Sequence, residues 1–353
     1  MSKTAFLKNT NTGEILKIGG GNPLVVQSML SCDTLDKDAV FSQIDSLIKA
    51  KCGVIRIAVE NKGAANLCKQ YLHYSKVPLV ADIHFDPQLA ITCSEIGFSK
   101  IRLNPGNINS DKFDSVVAAC KANGTAIRLG VNGGSLDKDL AKKHGVTPKS
   151  LALSAINSIK VFEKLNFDNL IVSIKSSCIK TTVLANRLLK IDCPYPLHIG
   201  ITESGFGTSG LVKSAIGIGA MLLDGIGDTI RVSLTDDPVA EVKAAYDILK
   251  ALNLTDSVQI ISCPTCSRCK FDLKKVASKI KNATKNVDKK IKIAVMGCVV
   301  NGPGEAMDAD IGVAGGDDGK AAIFMGGKVL KVVSHDKIVE AMKDEIKKIL
   351  ANR

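Results

Sequence analysis

The sequence contains no tryptophan, and aromatic residues make up only 4% of its 353 residues. Proteins that bind single-stranded nucleic acid stack bases on aromatic side chains, so this scarcity argues against a nucleic-acid partner. No run of 18 or more apolar residues occurs, which argues against a membrane span. The first residues lack the apolar core of a signal peptide. Eleven cysteines without an export signal then favour a cytoplasmic protein whose thiols are free or metal-bound.

Basic residues outnumber acidic ones by 47 to 35, a formal net charge of +12. The lysines are scattered or lie on predicted helix faces, as in the stretch 274–292, where solvated positive charge is the simplest interpretation. The excess also favours a positive pocket for an anionic small-molecule substrate.

A chain of this length exceeds the size at which one hydrophobic core keeps growing, which predicts a large domain and a small one. Short β-prone runs alternate with helical patterns and suit buried parallel strands. They lie at 24–28, 54–58, 78–82, 100–103, 126–130, 169–174, 196–201 and 229–233. Eight strand–helix units predict an α/β fold, a (β/α)8 TIM-type barrel over 1–255. The alternative, a doubly wound sheet, lacks a G-x-G-x-x-G turn after its first strand.

The alternation of strand and helix patterns ends near residue 256. A lysine-rich amphipathic stretch follows over 273–285, then a strand at 291–296, further β-like runs at 311–314 and 320–325, and a final helix at about 336–351. The pattern predicts a small α+β domain over 256–353.

Active sites of such barrels lie at the carboxyl ends of the strands. The polar residues that the sequence places there include Arg56, Asp82, His84, Arg102, Asn104, Arg128, Asn132, Lys175, His198, Glu203, Lys213, Arg231 and Ser233. An arginine inside a strand needs a partner, and a salt bridge explains any single one. Here the arginines and lysines outnumber the nearby acids, which predicts a highly charged anion such as a phosphate.

The small domain begins with a cysteine-rich segment. Cys263, Cys266 and Cys269 are spaced three residues apart, and Cys298 and Glu305 follow beyond a predicted strand. Thiolates in this arrangement favour an iron–sulfur cluster or zinc over hard cations, and unliganded thiols are the third possibility.

Together these motifs resemble the bacterial 4-hydroxy-3-methylbut-2-en-1-yl diphosphate synthase family of the non-mevalonate isoprenoid pathway, over nearly the full length and in its two-domain form. The motifs that carry the resemblance are VVQSM (25–29), ADIHFD (81–86), KIRLNPGNI (100–108), IRLGVNGGSL (127–136), LHIGITESG (197–205), VKSAIGIG (212–219), GIGDTIRVSL (225–234) and the two cysteine segments.

The resemblance implies an oxidoreductase that opens the ring of 2-C-methyl-D-erythritol 2,4-cyclodiphosphate. It implies a 4Fe-4S cluster held by Cys263, Cys266, Cys298 and Glu305. It also implies a head-to-tail homodimer, and flavodoxin or ferredoxin would suit as electron donor. The substrate would lie against Arg56, Arg102, Asn104, Arg128, Asn132, Lys175, His198, Lys213, Arg231 and Ser233.

Glu203 is the expected proton donor, with Asp82 and His84 as further acids at the same strand ends. The alternative for Glu203 is a structural ion pair with Arg231 or Lys213. Cys269 departs from the family pattern, and we interpret it as a bystander thiol; the alternative is that it competes with Glu305 for iron. Two other functions stay open: a pterin-binding barrel of the dihydropteroate-synthase kind, and an RNA-binding protein with a zinc knuckle.

Overall fold

The structure is a computed structural model that describes residues 1–83, 86–103, 113–133, 136, 138–300, 304 and 307–352, with only the backbone of residues 138 and 139. By contacts the chain divides into two compact units, Met1–Ile248 and Leu249–Arg353. No helix among the described residues is both long and apolar enough to cross a lipid bilayer.

The first unit contains a hairpin, a ring of parallel strands and nine described helices that alternate with them. The hairpin strands are β1 (Thr4–Lys8) and β2 (Ile15–Gly19). The parallel strands are β3 (Val25–Met29), β4 (Val54–Ala58), β5 (Leu79–Asp82), β6 (Lys100–Leu103), β7 (Ala126–Asn132), β8 (Leu170–Lys175), β9 (His198–Ile199) and β10 (Thr229–Ile230). The helices are α1 (Lys37–Lys49), α2 (Lys62–Tyr74), α3 (Pro87–Glu95), α4 (Phe113–Asn123), α5 (Lys138–His144), α6 (Pro148–Lys164), α7 (Ile179–Asp192), α8 (Gly207–Leu223) and α9 (Pro238–Ala251).

The parallel strands form the predicted barrel. Their order is β8-β7-β6-β5-β4-β3-β10-β9, and a parallel bridge between Val172 and Leu197 joins β8 to the residue before β9. Buried apolar side chains along the strands, such as Ile55, Ile101 and Ile127, explain why continuous hydrophobic runs form parallel strands here. The (β/α)8 prediction is therefore confirmed.

The hairpin β1–β2 was not predicted. Its inward residues Leu7 and Ile18 are fully buried against the first residues of the barrel strands, among them Val54 and Val80. Asn169 reinforces this packing, because its side-chain oxygen accepts a hydrogen bond from the backbone N–H of Phe6 at 2.8 Å. The hairpin therefore covers the amino-terminal end of the barrel, opposite the carboxyl ends of the strands.

The second unit is a mixed five-stranded sheet with two helices, in agreement with the predicted α+β class. Its strands are β11 (Val258–Ser262), β12 (Ile291–Met296), β13 (Ile311–Gly315), β14 (Lys320–Met325) and β15 (Lys328–Ser334), and its helices are α10 (Leu273–Ala283) and α11 (Ile338–Ala351). Ile280 and Met342 from the helices share one core with Ile293, Val313 and Ile323 of the sheet. The edge strands β11 and β15 were not predicted, since half-exposed strands lack a continuous apolar run.

Candidate active site

Arg56, Asp82 and Arg102 lie together because β4, β5 and β6 pair in register at their carboxyl ends. Asp82 is buried, and its two carboxylate oxygens face opposite neighbours: Arg56 Nη2 lies 3.2 Å from Oδ2, and Arg102 Nη1 lies 3.5 Å from Oδ1. One carboxylate thus orients two guanidinium groups at the barrel mouth. Among the described residues of this group, one negative charge faces two positive ones, which leaves a positive excess.

Arg128 lies beside this group, because its Cα pairs with that of Arg102 across β6 and β7. Its side chain is almost fully buried, yet its Nε and Nη1 atoms make no hydrogen bond with any residue that the structure describes. Burial, followed by repulsion from Arg56 and Arg102, holds the pKa of Arg128 well below its usual value. A buried guanidinium with donors available in a positive environment is suited to bind an anion.

Lys100 lies inside the barrel and is fully buried, and its Nζ donates a hydrogen bond to Gln27 Oε1 at 3.1 Å. Burial, together with repulsion from Arg128 and Arg56, holds the pKa of Lys100 well below its usual value. Burial also lowers the pKa of Arg56 to about 10, although Asp82 opposes that shift. An anionic ligand would offset the repulsion that these shifts report.

A second group is formed by Lys175, His198 and Thr229. Lys175 Nζ lies 3.1 Å from His198 Nε2, and His198 Nδ1 lies 2.5 Å from the Thr229 hydroxyl oxygen. Burial and then repulsion from Lys175 hold the pKa of His198 well below its usual value, which favours the neutral imidazole. A lysine that donates to Nε2 places the ring proton on Nδ1, which donates it to Thr229. Gly200 leaves room for this lysine, since a Cβ there would lie 2.8 Å from Lys175 Nζ.

Glu241 belongs to the same region and was missed by the sequence analysis. It lies in the first turn of α9 and is buried. Its carboxylate accepts hydrogen bonds from the Ser28 hydroxyl at 2.9 Å and from the backbone N–H of Leu234 at 3.0 Å, and Arg231 Nε lies 3.4 Å away. An acidic residue in the first turn of a helix is ordinarily explained by its interaction with the helix dipole. The sequence therefore offered no reason to assign Glu241 to the site.

Replacing Glu241 with glutamine should raise KM for an anionic substrate by about tenfold and change kcat less, because the neutral amide no longer orients Arg231 by a charge-assisted contact. Steady-state kinetics with the wild type in parallel would measure this. Glu345→Gln is the matched control, because Glu345 is also buried and contacts Lys331 and Lys348 at 2.9 Å in the other unit. An unchanged KM in Glu241→Gln, or the same rise in Glu345→Gln, would contradict this role for Glu241.

Glu203 is exposed in the loop after β9 and has a φ of +53°, a left-handed conformation that is uncommon for residues other than glycine. Lys213 Nζ donates to the backbone oxygen of Glu203 at 3.0 Å, whereas Arg231 pairs with Glu241. Among the described residues, none forms an ion pair with the Glu203 carboxylate, so the structure shows neither of the structural ion pairs considered for it. A strained, exposed acid at a barrel mouth is typical of a functional position.

The remaining predicted barrel residues divide into two groups. Asn132 ends β7 in register with Lys175, and Ser233 lies three residues beyond β10; both are half-buried. His84 and Asn104 lie outside the described residues. The barrel mouth therefore brings together, from the predicted set, Arg56, Asp82, Arg102, Arg128, Asn132, Lys175, His198 and Arg231.

The cysteine segments of the second unit follow two neighbouring parallel strands. Ser262 of β11 pairs with Val295 of β12, so Cys263 and Cys298 leave the same end of the sheet. The backbone N–H of Gly297 donates to Cys263 Sγ at 3.2 Å. Cys266 is exposed, and the backbone N–H of Arg268 is the main cause of the lowered pKa of its thiol. Soft sulfur donors with an accessible thiolate fit iron or zinc.

The described part of this segment does not by itself form a three-ligand metal group, and Glu305 lies outside the described residues. Cys269 differs from Cys263 and Cys266 of the same segment in the hydrogen bond that its thiol donates. Its Sγ lies 3.1 Å from the backbone oxygen of Phe271, to which the thiol donates, and a Cβ on Gly297 would lie 2.6 Å from that sulfur.

Comparison with known proteins matches both units to one family. The GcpE TIM-barrel domain matches residues 8–246, and the GcpE protein C-terminal domain matches residues 259–348. A relative from Caldanaerobacter subterraneus subsp. tengcongensis is 48% identical over 95% of this chain and 95% of its own. One from Hydrogenobaculum sp. is 48% identical over 97% of this chain and 99% of its own. Both are named 4-hydroxy-3-methylbut-2-en-1-yl diphosphate synthase (flavodoxin).

Solved structures share the barrel fold at low identity. Dihydropteroate synthase from Stenotrophomonas maltophilia has a TM-score of 0.50 and 14% identity, over 70% of this chain and 97% of that one. Type I 3-dehydroquinate dehydratase from Clostridium difficile has a TM-score of 0.50 and 14% identity, over 71% of this chain and 98% of that one. These likenesses show the fold alone and do not favour the pterin-binding alternative. Because both family domains match in order and relatives almost half identical extend over nearly the whole chain, the protein belongs to the GcpE family.

Proposed function

We propose that this chain catalyses the reductive ring opening of 2-C-methyl-D-erythritol 2,4-cyclodiphosphate. Two electrons and two protons convert the substrate to 4-hydroxy-3-methylbut-2-enyl diphosphate and water. The observation that carries the proposal is the cluster of arginine and lysine side chains at the barrel mouth. Among the described residues, the carboxylates of Asp82 and Glu241 are too few to neutralise this cluster. A cyclic diphosphate supplies the negative charge that this cluster requires.

The barrel residues bind and orient the two phosphates. Arg56 and Arg102, each in contact with Asp82, present guanidinium groups to one side of the mouth. Arg128 supplies donors that have no acceptor among the described residues. The other proposed substrate contacts are Asn104, Asn132, Lys175, Lys213, Arg231 and Ser233. Bidentate contacts to phosphate would fix the substrate in one orientation, which lowers the entropic part of the barrier.

His198 acts on the substrate through Lys175. The histidine is fully buried between Lys175 and Thr229, so it holds the ammonium group in place while the lysine faces the anion. The low polarity around both groups strengthens the attraction between Lys175 and a phosphate oxygen.

Glu203 donates the proton to the departing hydroxyl group, which leaves as water. Its exposure, its left-handed backbone and its lack of an ion pair with any described residue support this assignment. Asp82 is a weaker candidate, because it is engaged by Arg56 and Arg102. His84 stays a proposal from the sequence.

Cys263, Cys266, Cys298 and Glu305 are proposed to hold a 4Fe-4S cluster, which when bound would pass two electrons, one at a time, from the donor to the substrate. The parallel strands β11 and β12 support this assignment, since they bring Cys263 and Cys298 to the same sheet end. Cys269 is proposed to be a bystander, because its thiol is occupied by the Phe271 carbonyl group.

A homodimer is also proposed, with its two chains head to tail, and flavodoxin is the proposed electron donor. The adjacent helices α7 and α8 carry exposed apolar side chains that a second copy would cover, among them Ile191 (76% exposed), Ile216 (55%) and Leu223 (76%). Light scattering that gives the mass of one chain would refute the dimer. We further propose that 1–255 and 256–353 are separate domains, the first for substrate and the second for the cluster.

The decisive experiment is to purify the protein without oxygen, measure iron, acid-labile sulfide and zinc, and assay the cyclodiphosphate with dithionite and methyl viologen. About four irons and four sulfides per chain, with formation of the linear diphosphate, would support the proposal. One zinc per chain without sulfide after reconstitution, and no turnover, would refute it.

A further inference from the structure

The second unit carries an uneven charge distribution that the proposed reaction does not use. Between Arg268 and Lys292 the sequence has ten basic residues and two acidic ones. The whole unit, 249–353, has 19 basic and 12 acidic side chains. More than half of its basic residues thus lie in one segment of 25, which begins inside the cysteine-rich stretch.

The helix α10 carries four of these ten basic residues, and its apolar side faces the core. Leu273, Val276 and Ile280 are buried in the core, whereas the lysines of the helix are all exposed. Lys274 and Lys281 are seven residues apart, which places them on one stripe about 10 Å apart along the axis. We define the basic face as Arg268, Lys270, Lys274, Lys275, Lys279 and Lys281, all of which are exposed.

The basic face is connected to the cysteine turn by short, ordered contacts. The backbone N–H of Cys269 donates to the Cys266 oxygen at 3.0 Å, and that of Lys270 donates to the Gly297 oxygen at 2.9 Å. Asp272 then caps α10 by accepting a hydrogen bond from the Lys275 N–H at 2.9 Å. The lysines of α10 therefore begin five residues after Cys269, on a helix whose first turn is anchored to the same segment.

We propose that the basic face binds the acidic contact surface of the protein that delivers electrons to this enzyme. The inference rests on the proposed function, since it requires a redox centre at the cysteines. A charged face next to that centre would steer an acidic donor toward it and shorten the distance for electron transfer. The names of the relatives make flavodoxin the appropriate probe.

The residues of the basic face argue against RNA as its ligand. The face contains no aromatic side chain on which a base could stack. Phe271, the aromatic residue in the segment 268–292, is half-buried, and its ring centroid lies 5.7 Å from that of His335. Electrostatic attraction without stacking fits a protein surface with carboxylates.

Lys274 and Lys281 are the best positions for a test. Lys270 already pairs with Asp317 at 2.8 Å, whereas the ion pairs among the described residues include neither Lys274 nor Lys281. The double variant Lys274→Glu/Lys281→Glu would reverse the charge of the stripe. The matched control is Lys62→Glu/Lys69→Glu on α2, two exposed lysines that are also seven residues apart on one helix.

The experiment measures flavodoxin binding by calorimetry and turnover with two donors, reduced flavodoxin and dithionite with methyl viologen. At low ionic strength we expect the Lys274→Glu/Lys281→Glu variant to bind flavodoxin about tenfold more weakly, with a similar rise in KM for flavodoxin. The difference should shrink to about twofold or less in 0.5 M salt, because charges are then screened within a few ångströms. The control variant and the viologen-driven rate should stay at the wild-type level.

Three results would overturn the inference: wild-type affinity for flavodoxin in the α10 variant, an equal loss in the α2 control, or an equal loss with methyl viologen. Salt-sensitive RNA binding that the α10 variant loses, while flavodoxin affinity is unchanged, would overturn it in favour of a nucleic-acid surface. Failure of the proposed function is separate, because it would appear as wild-type protein that does not turn over with methyl viologen.

Discussion

Glutamine at position 203 should lower kcat by about 10²–10⁴-fold, because the amide keeps the shape of the side chain but has no acidic proton to give to the departing hydroxyl group. KM for the cyclodiphosphate should change little, since the phosphate-binding side chains at the barrel mouth are untouched. Single-turnover kinetics with a chemical reductant would measure the effect without the donor protein. A Glu203→Gln enzyme that keeps a third or more of the wild-type kcat would rule out Glu203 as the proton donor.

Two further variants distinguish proton donation by Glu203 from the effect of its negative charge and from the strain of its backbone. Glu60→Gln removes an exposed carboxylate from the loop after β4, at the same end of the barrel, and should leave kcat within about twofold. Glu203→Gly should be as inactive as the glutamine variant. Its melting temperature should not fall, since glycine adopts a φ of +53° without strain. A folding defect in Glu203→Gly would instead indicate a structural role.

Serine at position 298 should lower turnover by about 10³-fold or more, because a hard alcohol oxygen does not replace a soft thiolate on iron. The readouts are iron and sulfide content, the visible absorption spectrum and activity, measured on protein purified without oxygen. Binding of the cyclodiphosphate, measured by calorimetry, should stay at the wild-type level, since the residues proposed to bind it belong to the barrel. Full iron content and activity in Cys298→Ser would remove this cysteine from the ligand set.

Cys269→Ser is the control from the same segment. A serine hydroxyl can still donate to the Phe271 carbonyl oxygen, so iron content should be unchanged and turnover should stay within about twofold of wild type. A large loss in Cys269→Ser alone would mean that the cluster uses this thiol.

Much of the architecture was predictable because it depends on local sequence. A buried parallel strand requires a short apolar run, and a helix requires a repeat of 3.6 residues. Six of the eight predicted barrel strands therefore overlap the observed ones over most of their length, as at 54–58 and 100–103. The strands at 196–201 and 229–233 were predicted as longer than the two residues that pair in each, His198–Ile199 and Thr229–Ile230. The arginines at the strand ends were also predictable, because a charged residue within an apolar run can be identified from the sequence alone.

By itself, the sequence determined the barrel, the small α+β unit, the positive mouth and the cysteine segments, because each follows from residue type and spacing. Tertiary structure alone decided which groups meet. Glu241 accepts a hydrogen bond from Ser28, 213 residues away, and Asn169 holds a hairpin residue 163 positions distant. His198 reaches Lys175 and Thr229 only because β8, β9 and β10 come together as the barrel closes. Such contacts depend on the closure of the sheet and on side-chain direction, and no local pattern encodes either.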